Sequence, residues 1–132
     1  MGRLQPWRPL LRWGVGFGVA GLLAVGTLQA RDAAPFSATV PLTQLPAEAQ
    51  AVHRSIHVGG PFRYAKDGFA FGNRERILPA APGGYYREYT VPTPGARDRG
   101  ARRIVCGGRE PIAPVACFYT GDHYASFKRI TP

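Results

Sequence analysis

Glu88, Arg99, Arg103 and His123 carry the side-chain types needed to break a phosphodiester. They fall in three short segments, residues 85–91 (YYREYTV), 93–104 (TPGARDRGARRI) and 119–127 (YTGDHYASF). A carboxylate takes a proton from the attacking hydroxyl, an imidazole hands one to the leaving oxygen, and guanidiniums hold the charge that builds on phosphorus. That set works without a metal. Histidine is the natural proton donor near neutral pH, and the planar fork of arginine matches phosphate oxygens better than the point charge of lysine. Taken singly, Glu88 is a strand carboxylate facing an arginine and His123 a solvated loop imidazole. The combination, with the carboxylate flanked by two arginines, carries the weight.

Short extended segments must position these groups. Phe69–Phe71, Tyr85–Val91, Arg102–Val105, Cys117–Thr120 and Ala125–Ile130 are brief, rich in aromatic or β-branched residues, and punctuated by Gly, Pro and Asp. Period-two alternation puts Tyr86, Glu88 and Thr90 on one face of the second segment, and Tyr85, Arg87, Tyr89 and Val91 on the other. Arg103 shares a face with Val105, and Arg99 precedes that strand in a turn flanked by glycines. Pairing of 85–91 with 102–105 projects Glu88 and Arg103 into one cleft. The connection 120–124 then carries His123 to the other flank of a bound phosphate.

Ahead of the strands, after an apolar stretch at Ala38–Leu42, Leu45, Ala49, Val52 and Ile56 recur at helical spacing. Pro46 suits the first helical position, Glu48 the positive helix start, and Gly59-Gly60 the end. His53 and His57 lie one turn apart beside this stripe. With no third ligand in view, they read as solvated helix histidines rather than a metal site. One helix and five strands, joined by connections too short for crossover helices, predict an α+β domain: a single N-terminal helix packed on a five-stranded antiparallel sheet.

The 132-residue chain opens with the pattern of a secretory signal peptide over residues 1–30: Arg3, Arg8 and Arg12, an uncharged apolar run from Gly14 to Leu28, and the small Ala30 before Arg31. The run is shorter than the ~20 residues of a spanning helix, so the exported domain is expected not to insert stably in a membrane. Residues 31–37 follow as a short extension and 38–132 as one domain with a modest core. The leader holds three of the 17 Lys and Arg and none of the eight acids, which leaves a net charge of +6. Such a balance favours an anionic partner: nucleic acid, an acidic protein or a membrane surface. Arginine-rich composition alone, with lysine only at 66 and 128, does not choose among them. Cys106 and Cys117, in an exported chain, are expected to pair, closing a loop over Gly107–Ala116 and stabilising by about 2–3 kcal/mol. Neither has a Cys or His at ligand spacing, and no metal or cofactor is expected.

Residues 45–48 (LPAE), 60–68 (GPFRYAKDG), 71–75 (FGNRE), 77–79 (ILP), 85–90, 93–104 and 119–127 together resemble, in wording and order, the microbial guanyl-specific ribonucleases. This is the family of barnase, and the likeness to its smaller secreted members spans most of residues 38–130. The resemblance implies the microbial ribonuclease fold and cleavage of single-stranded RNA after guanosine in two stages. The 2′-hydroxyl attacks the adjacent phosphate to give a 2′,3′-cyclic ester, and water then opens it to a 3′-phosphate. DNA, lacking that hydroxyl, would bind without being cut. It also implies Glu88 as base and His123 as acid in the first stage, with roles exchanged in the second, Arg99 and Arg103 on the phosphate, and a hydroxyl contact from Tyr124.

Guanine recognition falls, by the same resemblance, to residues 71–75. Glu75 would accept from N1–H and the exocyclic amine, amides around Asn73 and Arg74 would donate to O6, and Phe71 would pack against the base. The plainer alternatives are an ion pair of Glu75 with Arg74 or Arg76, and an Asn73 that holds a turn. A monomer, and an acidic protein inhibitor of the barstar type, are further expectations. Gly72 stands where close members carry Gln. Pro41 stands at one end of their terminal disulfide, so Cys106–Cys117 would instead staple the hairpin between the third and fourth strands. A different class, a non-catalytic basic module binding RNA or an acidic partner, would need no matched acid and base.

Overall fold

The computed structural model describes residues 38–132 and, before them, only Gly2 and Gly14. The expected leader and the 31–37 extension lie outside the described residues. Strand β1 (Thr39–Pro41) leads through a 3₁₀ turn (Leu42–Gln44) into helix α1 (Ala47–Val58). Pro46 takes the position just before the helix, at ψ 149°, rather than the first helical one. At the far end Gly59 adopts φ 81°, and the Gly60 amide donates to Ser55 O at 2.8 Å, closing the last turn. Leu45, Ala49 and Ile56 are buried as their spacing predicts, and Val52 is partly so.

The strands that follow are β2 (Phe69–Ala70), β3 (Tyr86–Thr90), β4 (Arg103–Gly107), β5 (Ala116–Thr120) and β6 (Lys128–Thr131). They form one sheet in the order β1-β6-β5-β4-β3-β2. The α+β class holds, with two corrections. The sheet has six strands rather than five, and it is mixed, because β1 runs parallel to β6. Three residues ending in proline carry too little alternation to read as a strand. Pro41 is tolerated there because β1 is an edge, where its missing donor faces no neighbour. The last strand also starts three residues later than its apolar pattern suggests, since Ala125–Phe127 belong to the preceding loop and Phe127 turns into a core cluster.

Central β4 shows how one strand serves two layers. Ile104 and Cys106 face α1 and pack with Tyr89, Val91, Ala49 and Ile56. Val105, one residue along, points through the other face into a second cluster with Tyr86, Phe118, Phe127 and Leu78. Helix and main core therefore occupy one face. The opposite face, where Glu88, Thr90 and Arg103 emerge, is left for a cleft. The Cys106–Cys117 disulfide joins directly opposed residues of β4 and β5 on the helix side, as the pairing predicts. Among the described residues no helix is long and apolar enough to cross a membrane.

Candidate active site

Glu88 sits in the middle of β3 opposite Val105, so Arg103, paired with Thr90, lies one step diagonally across the same face. The Glu88 side chain is 14% exposed and lies 3.6 Å from Arg99 Nη2 through Oε1. Its other oxygen, Oε2, accepts a 2.6 Å hydrogen bond from Tyr124 Oη. Burial and this bond push the Tyr124 hydroxyl up to about 12, so it remains a donor throughout the neutral range.

Arg99 is aimed by Thr90. The Thr90 Oγ1, 1% exposed, accepts from both Nε (3.1 Å) and Nη2 (2.8 Å) of the guanidinium. The turn that delivers Arg99 needs glycine next to it: Gly100 has φ 62°, and a Cβ there would come within 2.6 Å of Thr93 Oγ1.

Arg103 is 2% exposed and makes no ion pair among the described residues; its Nη1 donates to the carbonyls of Arg102 (2.8 Å), Gly100 (3.0 Å) and Arg99 (3.4 Å). Its Nε has no partner, and the guanidinium carbon stands 5.8 Å from the centre of the Tyr124 ring. Of the two arginines expected beside Glu88, Arg99 forms an ion pair with it, and Arg103 stands diagonally across on the same face. Arg103 is a buried cation with no ion-pair partner among the described residues, which is a favourable environment for an anion that brings its own charge.

Glu88, His123 and Tyr124 line a cleft of about 760 Å³, together with Phe71, Asn73, Arg74 and Glu75 from the β2–β3 connection. Arg99 and Arg103 are not among its lining residues. His123 is exposed, and its amide donates to Ala101 O at 3.0 Å, which ties its loop to the arginine turn. His123 and Tyr124 both have left-handed backbones, at φ 53° and 71°.

In the connection 71–78, Asn73 Nδ2 donates to Leu78 O (2.9 Å) while its Oδ1 accepts the Leu78 amide (3.1 Å). With φ 48° at Asn73 and the Arg76 amide bonded back to its carbonyl, the side chain closes the loop, as the turn-holding alternative has it. Phe71 stacks on Tyr124 at 5.1 Å between ring centres. Glu75 is exposed and, among the described residues, unpaired, so the alternative of an ion pair with Arg74 or Arg76 is not formed. His53 and His57, on α1, lie away from this cleft with rings 4.5 Å apart, and His57 Nδ1 bonds to the His53 carbonyl of its own helix. Sequence reading missed Thr90 as the support of Arg99 and Asp122 as a loop anchor. The latter is signalled by short polar residues at 120, 122 and 126 around a glycine.

A sequence model of the ribonuclease family matches residues 29–131. Guanyl-specific ribonuclease Sa of Kitasatospora aureofaciens is 52% identical over 94 residues, covering 71% of this chain and 94% of that protein. The chain belongs to the guanyl-specific ribonuclease family. Ribonuclease St of Saccharopolyspora erythraea is likewise 52% identical to this ribonuclease, over 89 residues, 67% of this chain and 83% of the relative. Ribonuclease Sa2, solved with guanosine-2′-cyclophosphate, superposes on the present ribonuclease with a TM-score of 0.65 at 45% identity, covering 72% of this chain and 96% of its own. A second Sa2 structure, from a study of mononucleotide complexes, gives 0.66 at the same identity, covering 72% of this chain and 94% of its own.

Proposed function

We propose that this ribonuclease is exported after removal of residues 1–30 and cleaves single-stranded RNA 3′ to guanosine without a metal. The single observation that carries the reading is that Glu88 and His123 line the same cleft, with Tyr124 bonded to the carboxylate. In the first stage Glu88 takes the proton of the 2′-hydroxyl. The freed oxygen bonds to phosphorus, the P–O5′ bond breaks, and His123 protonates the departing O5′. In the second stage His123 takes a proton from water, whose oxygen bonds to phosphorus, the P–O2′ bond breaks, and Glu88 returns its proton to the 2′-oxygen. Tyr124 occupies Oε2, so Oε1, loosely held by Arg99 at 3.6 Å, is the atom left for proton transfer.

Arg99 and Arg103 stabilise the phosphorane from behind the cleft wall, where the orphaned Arg103 Nε supplies an unspent donor. Glu75, free of any cation, accepts from guanine N1–H and the exocyclic amine. Amides around Asn73 and Arg74 donate to O6, and Phe71 packs on the base. Adenine, with an acceptor at N1, leaves that carboxylate unpaired and is rejected. A monomeric product, held in check inside the producer by an acidic barstar-like inhibitor, fits the +6 charge of residues 31–132. Parallel incubation of protein 31–132 with GpC and ApC in EDTA tests the reading. The expected result is cyclic guanosine phosphate followed by 3′-GMP from GpC alone; loss of activity in EDTA, or equal cleavage of ApC, overturns it.

A further inference from the structure

His123 and Tyr124 are consecutive non-glycine residues with left-handed backbones, an arrangement that persists only where the surroundings enforce it. The enforcement comes from Asp122. Its Oδ1 accepts from Thr120 Oγ1 (2.8 Å), at the buried end of β5, and from the Ser126 amide (2.9 Å), on the far side of the turn. Its Oδ2 accepts from Ser126 Oγ at 2.5 Å. Thr120 Oγ1 in turn accepts the amide of Tyr124 at 3.2 Å. One exposed carboxylate thus closes a ring around residues 123–125, with no ion pair among the described residues. Its hydrogen bonds hold its own carboxyl below the usual aspartate range, those from Ser126 contributing most.

We infer that Asp122 is a positioning residue for the acid: by bracing the turn between Thr120 and Ser126 it fixes His123 toward the leaving oxygen. The inference rests on the proposed acid role of His123. Asp122 touches no reacting atom and acts through the backbone of its neighbours. A misplaced acid slows only steps that need an acid, and this separates positioning from a merely structural role.

The test compares Asp122→Ala, Asp122→Asn and His123→Ala on GpC and on guanosine 3′-(p-nitrophenyl phosphate), whose leaving group departs without protonation. Asp122→Ala is expected to lower kcat on GpC by about tenfold or more with KM changed by less than about twofold, while cleavage of the aryl ester stays within about threefold. Asp122→Asn, which keeps an acceptor for the Ser126 amide, should fall between. Because both substrates meet the same preparation, any unfolded fraction cancels in the ratio. Equal losses on the two substrates, or no loss on either, overturn the inference. If His123→Ala shows the leaving-group split and Asp122→Ala does not, the inference alone fails. If His123→Ala cleaves GpC at the wild-type rate, the acid assignment fails and takes the inference with it.

Discussion

At the level of single residues, the cleft divides its work among groups whose neighbours differ sharply. Glu88 is held by one tyrosine and one arginine, while Arg103 is buried against backbone carbonyls and the Tyr124 ring. Glu88→Gln keeps the shape and removes the base, so kcat on GpC should fall by ~10²–10⁴ with little change in KM; steady-state kinetics checks it, and near-wild-type turnover would remove Glu88 from that role. The orphaned Arg103 donor leads to a second expectation, readable without turnover. Inorganic phosphate should raise the melting temperature of the wild type, and the increment should largely vanish in Arg103→Met, because a ligand stabilises only the state that binds it. An equal increment in both proteins would place the anion elsewhere. The types of these residues were legible from the sequence, and so was the grouping of Glu88 with His123. Their partners were not. Thr90 is a short polar residue whose importance arises only when the strand pairing brings a guanidinium within 3 Å or so, which no local pattern encodes, whereas the turn chemistry around Asp122 left a faint local signal.

At the level of elements, β3, β4 and β5 behave as a laminate with the helix-facing core on one side and, on the other, a smaller apolar cluster beside the cleft. Ile104, wholly buried against α1, should lose about 2–5 kcal/mol on replacement by Ala, measured by urea unfolding, since the helix cannot collapse into the gap. Replacing both Cys106 and Cys117 by Ala should lower stability by about 2–3 kcal/mol yet leave turnover of the folded protein unchanged, because the bridge lies on the helix face. The helix adds a pH dependence. Burial, and then the neighbouring His57, lower the affinity of His53 for its proton. The unfolded chain therefore takes up a proton near pH 6.5 that the folded one resists, and stability falls as pH drops from 6.5 through the lower folded value. His53→Gln should flatten the difference between urea midpoints at acid and neutral pH; an unchanged difference would assign it to other groups. The helix was readable because its stripe and its glycine end follow helical geometry alone. Strand β1 was not, because three residues ending in a proline become a strand only when β6, some ninety residues later, arrives alongside.

At the level of the whole molecule, the positive charge and the cleft face the same task of drawing in a polyanion. Cleavage of long RNA should slow steeply with added salt as phosphate contacts outside the cleft are screened, whereas cleavage of GpC should depend on salt far less. Comparing kcat/KM for the two substrates over a salt series checks it, and parallel slopes would confine the electrostatic contribution to the cleft. This balance of charge was legible from composition, but its division between cleft and periphery depends on which arginines the fold buries, as Arg103 illustrates.

Interleaving two jobs along β4 makes its alignment unforgiving. A slip by a single position would thrust Arg103 into the oily side and leave Ile104 facing substrate, so a misaligned chain is ruined rather than merely weakened. Cys106 and Cys117 meet face to face only when the strands are in step, and the chain has no other cysteine to offer. Oxidation therefore acts as an inspection stamp: it locks in molecules that have already threaded correctly and leaves the others open to try again.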